Sequence, residues 1–464
     1  MKKRKLVREA SSFRDPSGFV FYLGNTIYRQ VNTSYKNDYL YFKNSGLCKK
    51  LVDEKLLIPF REVSSFKSAD SEAFAVLKTE TIPFISYPYE WCFDQIKDAA
   101  LCTLRIQRLC LAHNMSLKDA SAYNIQFLKG KPIMIDLLSF EKYREGLPWV
   151  AYRQFCQHFL GPLLLMRKVD SRLVLLLERY LEGIPLDLTS RLLPKSTYFN
   201  LSILAHIHLH ARNQKKYGNN PSLVRQTRKF LTKNMLLGII DNLESLVDSL
   251  KYSDSKSEWG EYANFMNYSQ AAFNNKKKIV KSYLLLQNPK VVWDLGGNIG
   301  EFSRIAADLG IFTISFDYDL DAVSRNYSEV KEKKEENLLP LFLDLANPTA
   351  DLGWAHQERK SLERRGPSDL AMALALVHHL CISKNIPFSM IGSYLAKICK
   401  SLIIEFIPKE DSKVQILLRN REDIFPWYNQ KTFEGEFLKY FRILRRDPIG
   451  SKSPRILYLM VRKR

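Results

Sequence analysis

The chain lacks any apolar run long enough to cross a membrane. A spanning helix needs about 20 predominantly apolar residues, and the best candidate is the much shorter stretch Phe159–Met166. The basic residues at positions 2–5 are not followed by the apolar core of a signal peptide. These two absences predict a cytoplasmic protein without a transmembrane segment.

Cysteine and histidine are also scarce. The 7 cysteines are an odd number, and no two are spaced as a zinc-binding or redox pair, so reduced and mostly buried thiols are expected. His206, His208 and His210 alternate along a predicted helix. Residues i and i+2 of a helix point to different sides, so these histidines do not predict a shared metal, and no metal site is expected.

Acidic residues are outnumbered by basic ones, 49 against 70, which leaves a formal net charge of +21. Such a balance favours anionic partners, including phosphates, nucleic acid or an acidic membrane face. The lysines and arginines are scattered, however, and no arginine-rich arm or recognised nucleic-acid module is present. A nucleic-acid partner therefore stands as an alternative to an ordinary solvated basic surface.

A chain of 464 residues is too long to form one ordinary hydrophobic core, so two to three domains are predicted. The 46% of hydrophobic residues indicates that these domains are globular. A basic tail is expected over residues 1–16, followed by an α+β and largely helical domain over residues 17–250. Within this domain the sequence predicts a hairpin at Gly24 and Asn25, a helical region over residues 36–60, a strand at Ile82–Ser86 and an amphipathic helix from Phe93 to Ala112. The most polar break is Ser253–Glu258. It separates the first domain from a second one, expected over residues 255–464.

The second domain is organised around a glycine-rich turn. The stretch Val291–Gly300 reads Val-Val-Trp-Asp-Leu-Gly-Gly-Asn-Ile-Gly, which indicates an apolar strand, a tight turn and a helix start. A second apolar strand, Phe312–Phe316, leads into Asp317 and Asp319. A glycine turn after one strand and an acid after the next is how an α/β sheet holds an adenosine-bearing cofactor.

Strands and helices alternate with short connections through this domain, which predicts a parallel doubly wound sheet. The expected strands are 290–294, 312–316, 339–342, 370–376 and 401–407, followed by a terminal antiparallel pair at about 440–446 and 455–461. A helix is expected at 271–286, ahead of the first strand. The predicted fold class is therefore α/β, with a Rossmann-like sheet whose last strand is antiparallel.

The succession from Asp294 to Glu405 resembles class I S-adenosylmethionine-dependent methyltransferases, which implies S-adenosyl-L-methionine as the cofactor. The spacing of the glycines differs from the G-x-G-x-x-G of nicotinamide enzymes, and an Asp inside the first strand fits methyl transfer better. The resemblance implies cofactor contacts by Asp294, Gly296, Gly297, Asn298 and Gly300 at the methionine part, by Asp317 and Asp319 at the ribose, by Asp344 and Leu345 at the adenine, and by Leu376 at the opening towards the acceptor. Trp259, Tyr262 and Tyr268 are candidates to fold over the cofactor.

Catalysis needs few groups, because the methyl group of the cofactor is already activated and the enzyme mainly aligns the acceptor. A base helps if the acceptor is a hydroxyl or a protonated amine. His378 and His379 follow the fourth strand, and either one is a candidate base, with ordinary packing as the alternative. Glu405 ends the fifth strand, where it could orient a histidine or bind an amine. Lys409, four residues later, could meet an anionic acceptor. The acceptor is not identified, although the absence of an Asn-Pro-Pro-Tyr motif and of a catalytic cysteine motif weakens methylation of DNA bases.

A second constellation lies in the first domain, where Asp119, Asn124 and Asp136 surround a predicted β-hairpin. This arrangement resembles the catalytic core of protein-kinase-like and aminoglycoside-phosphotransferase-like folds. The resemblance implies that Asp119 orients or deprotonates a hydroxyl, while Asn124 and Asp136 hold magnesium on phosphate oxygens.

The kinase-like pattern has departures. No G-x-G-x-x-G loop and no V-A-I-K-type lysine stand out, and Leu117 replaces the usual histidine. A kinase-like domain that binds the acceptor or a partner is therefore favoured, with a bifunctional, ATP- and magnesium-dependent phosphotransferase as the alternative. The whole chain resembles a bacterial methyltransferase group related to rhizobial nodulation-specificity proteins.

Overall fold

The computed structural model describes residues 6–63, 71–217, 231–252, 270–419, 422–450 and 453–463. The polar break at Ser253–Glu258 lies outside the described residues, as do Trp259, Tyr262 and Tyr268, which were predicted to cover the cofactor. Within the described ranges, the model contains no helix that is both long enough and apolar enough to span a membrane.

The chain divides into two compact units. The first comprises Met1–Ser253 together with the short segment Leu352–Arg359. The second comprises Asp254–Asp351 and Lys360–Arg464. The segment Leu352–Arg359 is therefore separated in sequence from the rest of the unit to which it belongs.

The first unit begins with an antiparallel sheet of strand order β1-β2-β3-β5-β4. Its strands are β1 (Leu6–Arg8), β2 (Gly18–Leu23), β3 (Thr26–Asn32), β4 (Phe60–Glu62) and β5 (Ala73–Thr79). The hairpin expected at Gly24 and Asn25 is confirmed, because these residues join β2 to β3, with Gly24 in the left-handed region at φ 65°.

Two helices, Lys36–Asn44 and Leu47–Asp53, separate β3 from β4. A single helical region had been expected there, but Gly46 adopts a left-handed φ of 82° and starts the second helix in a new direction. The strand expected at Ile82–Ser86 is wrong, since this described segment forms no strand. Pro83 has no N–H to donate to a sheet. Ile82 and Phe84 are buried without strand pairing, whereas Ile85 is exposed.

The rest of the first unit is mainly helical. The amphipathic helix expected at Phe93–Ala112 is confirmed. It is followed by β6 (Met115–Leu117), β7 (Ile125–Leu128), β8 (Lys131–Met134) and β9 (Phe140–Lys142), in which β6 pairs with β9 and β7 with β8. The subsequent α-helices are Tyr152–Phe155, Gly161–Lys168, Leu176–Arg179, Leu186–Leu192, Leu201–Ile203, His210–Tyr217 and Lys233–Ser249.

The second unit contains a seven-stranded sheet of order β12-β11-β10-β13-β14-β16-β15. Its strands are β10 (Val291–Leu295), β11 (Phe312–Asp317), β12 (Leu338–Phe342), β13 (Ser368–Ala373), β14 (Cys399–Phe406), β15 (Phe441–Gly450) and β16 (Ser453–Arg462). The strands from β10 to β14 are parallel, and β16 pairs antiparallel with both β14 and β15. The predicted parallel sheet with a terminal antiparallel pair is confirmed, with strand ends displaced by a few residues.

Helices cover the sheet of the second unit. They are Gln270–Gln287, Glu301–Asp308, Leu320–Lys333, Leu362–Arg365, Phe388–Ile398, Ser412–Leu418 and Gln430–Phe437. The helix Gln270–Gln287 contributes Val280, Tyr283 and Leu284 to a core that also contains Val292 and Met372. Successive residues of β13 and β14 are buried, so both faces of the sheet are covered there. This burial on both faces explains the nearly continuous apolar runs of the parallel strands.

The direction in which the chain adds strands to the sheet reverses at β10. The connection β10-β11-β12 builds one side of the sheet, and β13 then returns to the other side of β10. A crevice forms at the carboxyl ends of parallel strands where the order reverses, and ligands bind there in open α/β sheets. The fold therefore directs attention to the residues that follow β10, β11 and β13.

Candidate functional site

A tightly packed glycine turn follows β10. The N–H groups of Gly296 and Gly297 both donate to the carbonyl oxygen of Phe316, at 2.9 and 2.8 Å. Gly296 has a left-handed φ of 80°, which glycine adopts without steric cost. A Cβ on Gly297 would lie only 2.4 Å from Ser315 Oγ. The turn therefore requires glycine for both backbone conformation and close approach to β11.

Asp294 lies at the end of β10, beneath this turn. Its side chain is buried and accepts a hydrogen bond of 2.6 Å from Ser303 Oγ. Burial raises the pKa of Asp294 to about 6, because desolvation disfavours the charged form.

Asp317 ends β11 and joins the second strand to the glycine turn. One carboxylate oxygen accepts the N–H of Asn298 at 2.7 Å, and the other accepts the N–H of Asp319 at 2.9 Å. Burial raises the pKa of Asp317 to about 6, although these backbone donors favour the carboxylate. Two buried carboxyl groups with raised pKa values therefore lie at adjacent strand ends, a pattern that is concentrated at functional sites.

A cavity of about 350 Å³ lies at these strand ends, within the size range of small-molecule sites. Many residues that the sequence had singled out line it together: Asp294, Gly296, Gly297, Asn298, Asp317, Asp344, Leu345, Leu376 and His379. The fold thus assembles residues from four successive strand ends around one space.

Two of the predicted cofactor contacts, Gly300 and Asp319, do not line the cavity. Gly300 precedes the helix Glu301–Asp308 with a left-handed φ of 87° and is not among the lining residues. Asp319 caps the helix Leu320–Lys333 by accepting the N–H of Asp321 at 2.9 Å, and it is also absent from the lining. Both residues shape the ends of the helices around the cavity.

The structure distinguishes the two adjacent histidines. His379 lines the cavity and begins a π-helical turn, His379–Ser383, just after β13. Burial and the nearby Lys413 ammonium lower the pKa of His379 to about 4, so its ring is neutral near pH 7. His378 is 1% exposed and does not line the cavity. Burial lowers the pKa of His378 well below its usual value.

A buried ion-pair cluster, which the sequence had not indicated, borders the same cavity. Lys276 Nζ donates to Glu405 Oε2 at 2.7 Å, and Arg455 lies 3.7 Å from the other oxygen of Glu405. Arg455 also makes a bidentate ion pair with Asp411. Lys276 and Arg455 line the cavity, whereas Glu405 is fully buried behind it and accepts the N–H of Ala375 at 2.8 Å. The amine that Glu405 binds is therefore that of Lys276.

One signal for Lys276 was available in the sequence. Lys276 and Lys277 each lie three or four residues from both Phe273 and Val280, so either position fits the apolar stripe of a helix. The structure buries Lys276 on this stripe of the helix Gln270–Gln287, whereas Lys277 is half-buried and pairs with Glu301. A charged residue on an apolar helix face indicates a specific partner, which here is Glu405.

A second cluster lies within the first unit. Asp119 accepts the N–H of Ser121 at 2.9 Å, and Asn124 Nδ2 donates to Ser139 Oγ at 3.3 Å. Ser139 in turn donates to Asp136 at 2.5 Å. Burial raises the pKa of Asp119, and the nearby Asp136 carboxylate raises it further. The three residues singled out in the sequence therefore lie close together.

Arg29, on β3, completes the second cluster. Its guanidinium forms an ion pair of 3.0 Å with the Asp136 carboxylate. The cation beside Asp136 is therefore an arginine, not the lysine that kinase-like folds carry on this sheet. Among the described residues, no group of histidine, cysteine and carboxylate side chains is arranged to hold a metal ion.

The second unit has the sheet order, the antiparallel last strand and the switch-point cavity that class I S-adenosylmethionine-dependent methyltransferases share. S-adenosylmethionine would fit this cavity, because the glycine turn lets the protein backbone approach a ligand closely and buried acids stand at two adjacent strand ends. No protein-family model matches the chain. The chain belongs to the family of the nodulation protein NoeA of Rhizobium meliloti (strain 1021), to which it is 34% identical over 462 residues, covering 98% of this chain and 96% of that protein.

Solved structures show more distant similarity. The magnesium protoporphyrin IX methyltransferase ChlM from Synechocystis PCC 6803 is 17% identical, with a TM-score of 0.32, over 44% of this chain and 94% of its own. A methyltransferase from Clostridium acetobutylicum ATCC 824 is 12% identical, with a TM-score of 0.33, over 45% of this chain and 100% of its own. The bifunctional kinase-methyltransferase WbdD is 18% identical, with a TM-score of 0.28, over 42% of this chain and only 40% of its own.

The raised pKa values of Asp294 and Asp317 predict that donor affinity depends on pH. As the pH falls below about 6, both carboxylates gain protons and lose the charge with which they would accept hydrogen bonds from the cofactor. The Kd for S-adenosylhomocysteine, measured by calorimetry, should rise between pH 7.5 and 5, by about tenfold for each group at one unit below its pKa.

The pH series requires a control for acid unfolding, which is a measurement of the free energy of unfolding at each pH. A carboxyl group with a raised pKa in the folded state adds stability as the pH falls through that pKa, so these two groups do not promote acid unfolding. A Kd that stays constant to pH 5 in folded protein would contradict the prediction. Asp317→Asn should remove the part of the pH dependence that Asp317 contributes and leave the part that Asp294 contributes.

Proposed function

We propose that the second unit transfers a methyl group from S-adenosyl-L-methionine to an oxygen or nitrogen nucleophile. The observation that supports this most strongly is the single cavity that joins Asp294, the glycine turn, Asp317 and Asp344. The bound cofactor would supply a methyl group activated by the sulfonium charge. The protein's own contribution is to bind the donor, orient the acceptor and accept a proton where one must leave.

Donor binding is assigned to the strand ends. The backbone of Gly296 and Gly297 can approach the ligand closely because neither residue has a side chain. Asp317 is proposed to accept hydrogen bonds from the ribose hydroxyls, since its carboxylate is held by the turn and lines the cavity. Asp344 and Leu345 follow β12 and would contact the adenine.

His379 is the proposed base. It lines the cavity, and its neutral ring near pH 7 leaves one nitrogen able to accept a proton from the acceptor. A pKa of about 4 makes the imidazole a modest base, so this step suits an acceptor whose nucleophile gives up its proton readily or during transfer. His378 is separated from the cavity and is assigned a packing role.

The charges on the acceptor side favour an acceptor that is not cationic. Lys384 and Lys413 line the cavity near His379, and no carboxylate is among the lining residues contributed by the segment from Leu374 to Lys384. Lys409, which the sequence had suggested for an anionic acceptor, instead binds Asp423 and the carbonyl oxygen of Phe425. Lys413 is the better candidate for that role.

The acceptor can be identified by incubating the protein with methyl-labelled cofactor and fractionated cell extract. The proposal expects label in one fraction among RNA, protein, lipid and small molecules, and Asp317→Ala should label that fraction much less when the cofactor concentration is near the Kd of the unmodified protein. Absence of labelling in every fraction, with a protein that binds the cofactor, would count against methyl transfer to a cellular acceptor.

Asp317→Ala should weaken binding of S-adenosylhomocysteine by about 10- to 100-fold, because hydrogen bonds to a charged group contribute about 1.5–3 kcal/mol. Isothermal titration calorimetry measures this directly. Asp319→Ala is the matched control: it should lower stability by about 1 kcal/mol through loss of the helix cap while leaving the affinity little changed. Equal affinities for Asp317→Ala and the unmodified protein would refute the donor site.

His379→Gln should lower the rate of methyl transfer by about 10²- to 10⁴-fold, the usual range for a general base, while the Kd for S-adenosylhomocysteine stays nearly constant. Label transfer to the active extract fraction measures the rate. His378→Gln, compared at equal concentration of folded protein, tells which histidine acts. Unchanged transfer by His379→Gln would remove this residue from the mechanism.

We propose secondly that the first unit is a kinase-like domain that binds the acceptor or a partner. Its antiparallel sheet, the helix Phe93–Ala112 and the cluster of Asp119, Asn124 and Asp136 occur in the order of that fold. The ion pair between Arg29 and Asp136 favours binding over phosphoryl transfer. An arginine that neutralises Asp136 competes with the magnesium that phosphoryl transfer needs at this carboxylate.

The alternative of a bifunctional phosphotransferase has a direct test. We expect ATP with magnesium to leave the melting temperature of the full-length protein unchanged, because Asp136 is already paired with Arg29. Differential scanning fluorimetry with and without magnesium measures this shift. A magnesium-dependent rise that Asp136→Ala abolishes would establish the phosphotransferase alternative instead.

A further inference from the structure

The side chain of Lys276, which lines the cavity, is fixed by several contacts. Lys276 is 2% exposed, its Nζ lies 2.7 Å from the Glu405 carboxylate, and the same ammonium lies 4.6 Å from the ring centre of Phe302. Glu405 is fixed in turn by the N–H of Ala375 and by Arg455. The position of the ammonium is therefore determined on several sides before any ligand binds.

Stability alone gives no reason to keep this ion pair. Removing two charges from water costs several kcal/mol per ion, and replacing a buried pair by apolar residues is often neutral or stabilising. Phe273 and Phe302 lie beside Lys276, and an apolar side chain would fit among them. A buried lysine that also lines a ligand cavity points to a ligand that requires its charge.

The end of the cavity that Lys276 borders is also defined. Asp294 is close enough for each group to favour the charged form of the other. Lys276 binds Glu405 on β14, whereas Asp344 and Leu345, the proposed adenine contacts, follow β12, which lies on the opposite side of β10 in the sheet. Lys276 therefore lies on the side of the cavity away from the adenine, where the amino-acid part of the cofactor would be.

We propose that Lys276, positioned by Glu405, binds the methionine carboxylate of the cofactor and so makes the site selective for donors that retain the amino-acid end. The amino-acid end carries one cationic and one anionic group, and Asp294 with Lys276 offers the opposite charges. This inference rests on the proposed function of the cavity. It assigns to Glu405 a positioning role.

The other cations of the cavity fit this role less well. Arg455 directs Nε and Nη2 to Asp411 and Nη1 towards Glu405, so all three nitrogens of its guanidinium face carboxylates of the protein. Lys384 and Lys413 belong to the segments that follow β13 and β14, on the side of His379. Lys276 alone among these cations comes from the helix that precedes the glycine-turn strand.

The test compares two ligands by calorimetry on the full chain. S-adenosylhomocysteine carries the amino-acid end, and 5′-deoxy-5′-methylthioadenosine has the same adenosine and thioether without it. Lys276→Met should weaken the first ligand by about 10- to 100-fold, as expected for a charged hydrogen bond, and leave the second nearly unchanged. Lys278→Met, on an exposed lysine of the same helix, is the matched control and should alter neither.

Equal weakening of both ligands would show that Lys276 only supports the fold of the pocket, and unchanged binding of both would also overturn the inference. If Lys276→Met does not fold because Glu405 loses its partner, the double variant Lys276→Met with Glu405→Gln removes both charges and carries the same expectation. Failure of the unmodified protein to bind either ligand would refute the donor site itself, which is a different outcome from selective failure of the Lys276 inference.

Discussion

The close packing of the Gly296–Gly297 turn against β11 is the constraint on which the candidate site depends. Two N–H groups converge on the carbonyl oxygen of Phe316, and no Cβ can be accommodated at Gly297. The turn therefore keeps the ends of β10 and β11 together. The same contact brings the N–H of Asn298 to Asp317, so the backbone itself positions the acid that would hold the ribose.

Charged groups in the second unit are buried at this edge of the sheet at a cost, and each is offset by a specific partner. Ser303 donates to Asp294, backbone N–H groups donate to Asp317, and Glu405 binds Lys276. The interior of the sheet consists of aliphatic side chains instead. Ionisable groups gathered in a cavity, away from the apolar core, are the pattern expected of a binding and catalytic site.

Much of the second unit could be predicted because its signals are local. An apolar strand, a glycine pair and a following acid indicate the donor turn within about 30 residues of chain, and the alternating strands confirm the sheet. Local signals failed where they conflicted: the apolar residues of Ile82–Ser86 suggested a strand, but Pro83 removes a donor that a strand needs. The sequence did not indicate Lys276, because a lysine is not expected on the buried face of a helix.

By itself, the sequence determined the order of strands and helices, the glycine turn and the acids that follow successive strands, since each depends on residues close together in the chain. Only the tertiary structure decided which of these residues share one cavity. It set His379 in the wall and His378 behind it, and it brought Glu405 and Arg455 to Lys276 across 129 and more residues of chain. Such contacts follow from how the strands stack side by side, which no local pattern encodes.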